Sequence, residues 1–166
     1  SDVCSSDLAI VPRADGSGVV FLTNGNGPPG NDGFLLRSRD YGRTWENAKL
    51  PGPIESTVWC VATNAADPML IFVCTNLGEV FRSGDGGESW TRFDKVQVHG
   101  TIMSIGLHQT DPKQVYIGAR YQGEIFGTRD GGETWASMPL PGPVKDVYSV
   151  AFSPDDKTLA SGDFMG

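Results

Sequence analysis

Long apolar runs are missing from this chain. None approaches the roughly 18 apolar residues that a membrane-crossing helix needs, so no membrane span is expected. Positive charge is scarce: 13 Lys and Arg stand against 20 Asp and Glu, for a net charge of −7. The basic residues form no stripe that could track phosphates, which argues against a nucleic-acid partner. Histidine is rarer still. His99 and His108 show neither metal-ligand spacing nor a nearby nucleophile pattern, and both read as surface or turn residues. No metal and no cofactor are expected. Sustained helical periodicity is also absent, which points away from helical classes.

Cysteine is limited to Cys4, Cys60 and Cys74. The first eight residues, Ser1-Asp-Val-Cys-Ser-Ser-Asp-Leu8, resemble a one-frame translation of a sequencing-library adapter. Residues 1–8 are therefore expected to be a non-native leader, with the native start missing and a signal peptide left open. Cys60 and Cys74 fall on adjacent expected strands. Their counterparts one repeat later are Ser104 and Gly118, so there is no repeat-wide disulfide framework. Free buried thiols are expected, with a bridge left open for a secreted protein.

Glycine (22) and proline (11) are abundant, as suits many short strands joined by turns. One motif recurs three times. It reads Ser38-Arg-Asp40-Tyr-Gly42-Arg-Thr44-Trp45, Ser83-Gly-Asp85-Gly-Gly87-Glu-Ser89-Trp90 and Thr128-Arg-Asp130-Gly-Gly132-Glu-Thr134-Trp135. Asp40, Asp85 and Asp130 are spaced by 45 residues each time, a period that points to repeated supersecondary units. Around each motif the strands align. Thr57–Ala62 sits over Thr101–Gly106, Leu70–Val73 over Gln114–Ile117, and Gly78–Phe81 over Gly123–Phe126. Val19–Leu22 and Phe34–Leu36 supply second and third strands of a weaker first unit, and Val147–Phe152 opens a fourth. The expected fold is all-β: a β-propeller arc of about three and a half four-stranded blades, truncated at both ends. Blades are expected at about 9–50, 54–96, 100–140 and, incomplete, 146–166, within a longer protein whose remaining blades would close the ring.

The first strand of each unit alternates in size. Trp59 and Val61, Met103 and Ile105, Tyr148 and Val150 share one face; Cys60 and Ala62, Ser104 and Gly106, Ser149 and Ala151 share the other. Bulky faces should pack on small ones between blades. For Trp59, inter-blade packing and a ligand platform are both open. Within the motif, Asp can accept backbone N–H groups of its own turn, and Ser or Thr two residues earlier can join that network. Gly42, Gly87 and Gly132 supply a position that wants positive φ, and Trp45, Trp90 and Trp135 bury apolar rings. A motif repeated in every unit reads as structural, because an active site is needed once. Calcium at Asp85 or Glu88 is not expected, since each motif offers too few oxygens.

The motif resembles the Asp-box, or BNR repeat, of sialidase-like and related β-propellers. These include sortilin-type receptors, some glycoside hydrolases and photosystem assembly factors. The last unit, from Tyr148 to Ser161, also looks like a WD40 or YVTN-type blade start. The resemblance covers about residues 9 to 162. It implies that ligands meet the loops around the axis on the face away from the boxes, and that a secreted or periplasmic setting is open.

On that face the expected ligand-binding candidates are Asn24, Asn26, Asn76, Glu79, Arg120, Tyr121 and Glu124. Asn24 and Asn26 belong to an expanded loop, Asn24–Gly33, which reads equally as a functional loop or a solvated insertion. The inter-unit loops Leu50–Pro53 and Leu140–Pro143 are stiff and poor in chemistry. Arg13 and Arg120 are the arginines expected near the ligand face. Resemblance to a sialidase would imply an arginine clamp and an Arg-Ile-Pro signature, and the signature is absent. A glycoside hydrolase needs two opposed carboxylates, and Glu55, Glu79, Glu124 and Asp146 qualify by phase only. No catalytic residue is assigned. The reading favours a binding scaffold for a protein, peptide or glycan; the alternative is a sialidase-like or xyloglucanase-like hydrolase whose catalytic residues lie partly in further blades.

Overall fold

The computed structural model describes residues 6–93, 98, 100–121, 124–140, 144, 146–153, 155, 157 and 159–162. Cys4, His99, Gly123, the Pro141–Pro143 stretch and the last four residues lie outside this set. Every helix-or-strand element among the described residues is a strand. The first sheet holds β1 (Ser6–Pro12), β2 (Val20–Gly25), β3 (Gly33–Ser38) and β4 (Glu46–Asn47). The second holds β5 (Val58–Thr63), β6 (Ile71–Thr75), β7 (Val80–Ser83) and β8 (Thr91–Phe93). The third holds β9 (Thr101–Leu107), β10 (Val115–Arg120), β11 (Glu124–Thr128) and β12 (Ala136–Pro139). A two-stranded unit of β13 (Ser149–Phe152) and β14 (Leu159–Gly162) follows. Each sheet is an antiparallel meander in chain order, so the protein is a β-propeller arc.

The first strand of each blade packs on the blade before it: β5 on β1 and β2, β9 on β5, and β13 on β9. First strands therefore lie toward the axis, while the short, mostly exposed β4, β8 and β12 form the rim. Three cores fill the gaps. Val19, Phe21 and Leu35 of the first blade meet Val58, Val61, Ile71, Val73 and Phe81 of the second. Phe72, Cys74 and Val80 meet Ile102, Val115, Ile117 and Ala119 of the third. Tyr116 and Ile125 meet Val147 and Val150. All five residues of β6 are buried, with alternate side chains serving different cores. A strand covered on both faces needs this continuous apolar run.

Bulky side chains do pack on small ones between blades. A β-carbon on Gly106 would lie 3.4 Å from Val150 Cγ2, and one on Gly118 only 2.6 Å from Val147 Cγ1. The strict alternation expected for the first strands is corrected, however. Pairing slips between Val58 and Cys60, leaving Trp59 as an extra residue. The same slip isolates Met103 in β9 and Leu8 in β1. Val58 and Val61 both face the first blade, whereas Trp59 Nε1 and Cys60 Sγ both donate to the Met103 carbonyl of the third, at 3.2 and 3.3 Å. Trp59 and Val61 thus do not share a face. The opening strand of the first blade, unassigned from sequence, begins at Ser6. Ser6 and Asp7 pair with Gly25 and Asn24, and Leu8 takes the bulge position.

Candidate functional site

An antiparallel meander sends the first and third turns of each blade to one end, and the second turn and the inter-blade link to the other. The three Asp-containing turns join β3 to β4, β7 to β8 and β11 to β12. All share one hydrogen-bond scheme. In the second, Ser83 Oγ donates to Asp85 Oδ1 at 2.7 Å and accepts from Gly87 N at 2.8 Å. Asp85 Oδ1 also accepts Ser89 N at 2.9 Å, and Oδ2 accepts Ser89 Oγ at 2.5 Å. Ser38, Asp40, Gly42 and Thr44 repeat the scheme, as do Thr128, Asp130, Gly132 and Thr134. These donors favour the carboxylate form. Hydrogen bonds from Thr44 hold Asp40 at about 2, those from Ser89 hold Asp85 at about 2, and those from Thr134 hold Asp130 below the carboxylate range. Both oxygens of each Asp are engaged by their own turn.

The glycines and tryptophans of the second and third of these turns work between blades. Gly42, Gly87 and Gly132 have φ of 83, 90 and 96°. A β-carbon on Gly87 would lie 2.5 Å from Phe21 Cζ, and one on Gly132 would lie 2.8 Å from Phe93 Cζ, so each turn seats on the preceding blade. Trp90 meets Phe21 edge-on at 6.1 Å, and Trp135 Nε1 donates to the Gly132 carbonyl at 3.1 Å. Trp45 departs from the expected burial and remains 37% exposed. Arg13 corrects another expectation. It lies on this end, donating to the Gly86 carbonyl at 3.3 Å and pairing with Asp15 at 2.7 Å. The chain has already turned at the end of β1, which carries Arg13 away from the opposite face.

On that opposite end, most of the candidates are committed to holding loops. Asn24 is buried within β2. Asn26 Oδ1 accepts Asn31 N at 2.9 Å and Asp32 N at 3.3 Å, closing the expanded loop on itself. That loop docks on the second blade, where Thr57 Oγ1 donates to the Gly27 carbonyl at 2.6 Å. Asn76 is fully buried and bridges blades: its carbonyl accepts Ile102 N at 3.1 Å, and its Nδ2 donates to the Ile102 carbonyl at 3.3 Å. Glu79 accepts Thr75 Oγ1 at 3.1 Å and pairs with Arg92 at 3.0 Å. Glu124, half-buried, begins β11 opposite Pro139.

Arg120 and Tyr121 are brought together, with two partners that sequence reasoning treated separately. The Arg120 guanidinium lies over the rings of Tyr121 at 4.7 Å and Tyr148 at 4.9 Å. Such cation–π contacts preorganise the guanidinium in a defined plane. Asp146 Oδ1 lies 3.8 Å from Arg120 Nε and accepts Tyr121 N at 2.9 Å. Tyr121 has φ 72° and is 64% exposed, so its ring stands out at the chain reversal. Tyr148 holds the repeat position of Trp59 and Met103, and all three are half-buried. The signal that would have found this cluster is the equivalence of Tyr148 with Trp59, read together with Arg120 one turn away.

The remaining features are less suited to chemistry. His108 Nδ1 accepts Asp111 N at 3.1 Å, and the ring stacks edge-on with Phe152 at 4.8 Å, a turn-holding role. A cavity of about 340 Å³ lies at the outer side of the third blade, lined by Tyr116, Arg129, Thr134, Trp135 and Met138. It is away from the Arg120 cluster. Among the described residues no group of three or more His, Cys, Asp or Glu could hold a metal ion. Among the described residues no helix is long and apolar enough to cross a membrane.

Residues 78–161 match the model of the family described as Sortilin, neurotensin receptor 3. The chain belongs to the Sortilin-Vps10 family. No protein with a curated function matches it in sequence. Solved structures similar to this Sortilin-Vps10 chain include an ancestral GH74 enzyme, at 18% identity and TM-score 0.74 over 94% of this chain and 21% of that one. The GH74 enzyme of Niastella koreensis follows at 20% identity and TM-score 0.73, over 96% of this chain and 26% of that one. YCF48 bound to D1 peptide aligns at 14% identity and TM-score 0.57, over 84% of this chain and 42% of that one. At these identities the likeness is one of fold. The chain spans about a quarter or less of the length of those GH74 enzymes.

Proposed function

We propose that this arc is a binding scaffold for a protein, peptide or glycan, with its contact surface on the end opposite the Asp-containing turns. One observation carries the reading: the partly buried Arg120 guanidinium, lying against the rings of Tyr121 and Tyr148 beside Asp146. A planar cation flanked by aromatic rings suits a carboxylate or a ring-faced sugar. The peptide-bound YCF48 structure, a propeller-like neighbour, supports a peptide or protein ligand. The three Asp turns are Asp-boxes of the BNR repeat in this reading, with structural duty only. Screening the full chain against arrayed peptides and arrayed glycans tests the proposal. The hits are then re-measured with Arg120→Ala and Tyr121→Ala. Binding lost in both variants at unchanged melting temperature supports it; undiminished binding in both removes the site.

A second reading is a glycoside hydrolase completed by blades beyond this arc, for which the GH74 neighbours are the support. Against it, Glu79 pairs with Arg92 at 3.0 Å and Asp146 lies 3.8 Å from Arg120 Nε, so both carboxylates are engaged by arginines instead of facing each other across a cleft. Release of reducing sugar from xyloglucan by the complete protein would decide for this second reading.

A further inference from the structure

We propose that Cys60 and Cys74 form a modification site, a dithiol that a disulfide oxidant converts to a cross-strand disulfide within the second blade. The two residues are direct partners in the β5–β6 ladder, next to the Trp59 bulge. Directly opposed residues of an antiparallel pair have Cα atoms about 4.5–5.5 Å apart. A disulfide accepts about 4.4–6.8 Å, so the backbone needs no rearrangement to carry one. Opposed residues also share a face, and both side chains lie in the core between the second and third blades. Both thiols are free. The equivalent pairs are Ala9 with Thr23 and Ser104 with Gly118. Every blade keeps small residues at this register, and the second alone places two thiols there.

The two sulfurs differ in a way that orders the chemistry. Cys60 is half-buried and donates to the Met103 carbonyl at 3.3 Å, whereas Cys74 is fully buried. Burial, with the Cys60 contact, pushes the Cys74 thiol up, so it is the poorer first nucleophile. Cys60 thiolate attacks one sulfur of the oxidant disulfide and expels a thiolate, forming a mixed disulfide. Cys74 then loses its proton to water and attacks the Cys60 sulfur, expelling the second thiolate. The protein loses two protons and two electrons, and the oxidant is reduced to two thiols. Closure removes the Cys60 donor from the Met103 carbonyl, which keeps the Trp59 Nε1 bond at 3.2 Å. The inter-blade contact therefore survives oxidation.

The test uses the full chain carrying Cys4→Ser, so that Cys60 and Cys74 are its sole thiols. It is incubated with graded oxidised glutathione, quenched with iodoacetamide in denaturant, and weighed intact. The expected product is lighter than the reduced protein by two hydrogens, carries no alkyl group, and returns to a doubly alkylated species after dithiothreitol. Cys74→Ser should stop at a glutathione adduct on Cys60, and Cys60→Ser should react far more slowly. The idea is overturned if the parent chain itself stops at the Cys60 adduct, or if it stays doubly alkylatable throughout while ordinary exposed thiols oxidise.

Discussion

Arg37 of the first blade donates from Nη1 to the carbonyl of Gly87 in the second, at 2.5 Å. The same buried guanidinium meets Glu46 at 2.7 Å and Glu88 at 3.1 Å, so one side chain ties a turn of the next blade to its own rim strand. Arg37→Ala should lower unfolding stability by about 2–3 kcal/mol, because it strands the buried Gly87 carbonyl and removes the buried arm of the ion-pair network, while Arg39 still holds both glutamates. Arg39→Ala, at a half-exposed pair with the same two glutamates, should change it by under about 1 kcal/mol. Urea titration of both variants checks the contrast; equal losses would refute it.

Acid should weaken the protein through the Asp turns. Asp40 and Asp85 fall from the ordinary 3.8 to about 2 in the folded chain. The unfolded chain then binds more protons between those values, so this stabilisation is complete above the unfolded value and is lost as pH falls through the folded one. Glu46 and Glu88, lowered mainly by hydrogen bonds from Arg37 and Arg39 respectively, act in the same direction. The urea midpoint should therefore drop steeply from pH 4 toward 2. Asp85→Asn should start lower at neutral pH and show a shallower acid loss, whereas a parallel curve would count against this origin.

Two glycines with similar φ separate backbone strain from collision. Gly52 has φ 81° with nothing within 4 Å of an added β-carbon, and Gly87 has φ 90° with Phe21 Cζ at 2.5 Å. Gly52→Ala should destabilise by about 1 kcal/mol, the strain of a left-handed alanine. Gly87→Ala adds a displaced Phe21 ring and should reach about 3 kcal/mol. Thermal denaturation of the pair measures the difference directly.

The Gly118–Val147 contact gives a suppressor test. Gly118→Ala drives a methyl against Val147 Cγ1 and should destabilise by about 1–3 kcal/mol. Val147→Ala should also destabilise, by opening a void in the buried third core. The double variant should be more stable than the sum of the two losses predicts, and simple additivity would show that the side chains do not meet.

Much of the blade was legible because its signals are local. Asp40, Asp85 and Asp130 at equal spacing, and Val, Ile and Phe runs between turn residues, fix the strands and the outer turns. The bulge at Leu8, Trp59 and Met103 was not legible, since adding one residue to a strand leaves no mark on composition. That slip is what turned Trp59 away from Val61. Arg13 was misplaced for a related reason: which end of the propeller a residue reaches depends on where the first strand stops. At the candidate site, Arg120 and Tyr121 were readable as loop residues. Their stacking with Tyr148 comes from the next unit of the chain and depends on how one sheet is rotated against another.

Strand β6 serves both neighbouring cores, with Ile71 and Val73 on one side and Phe72 and Cys74 on the other. Its backbone amides can open to solvent only when both interfaces separate. They should therefore be the slowest in hydrogen exchange, with protection near the global unfolding free energy. The second blade is thus a thermodynamic coupling element, through which disorder entering from either side is passed to the whole arc.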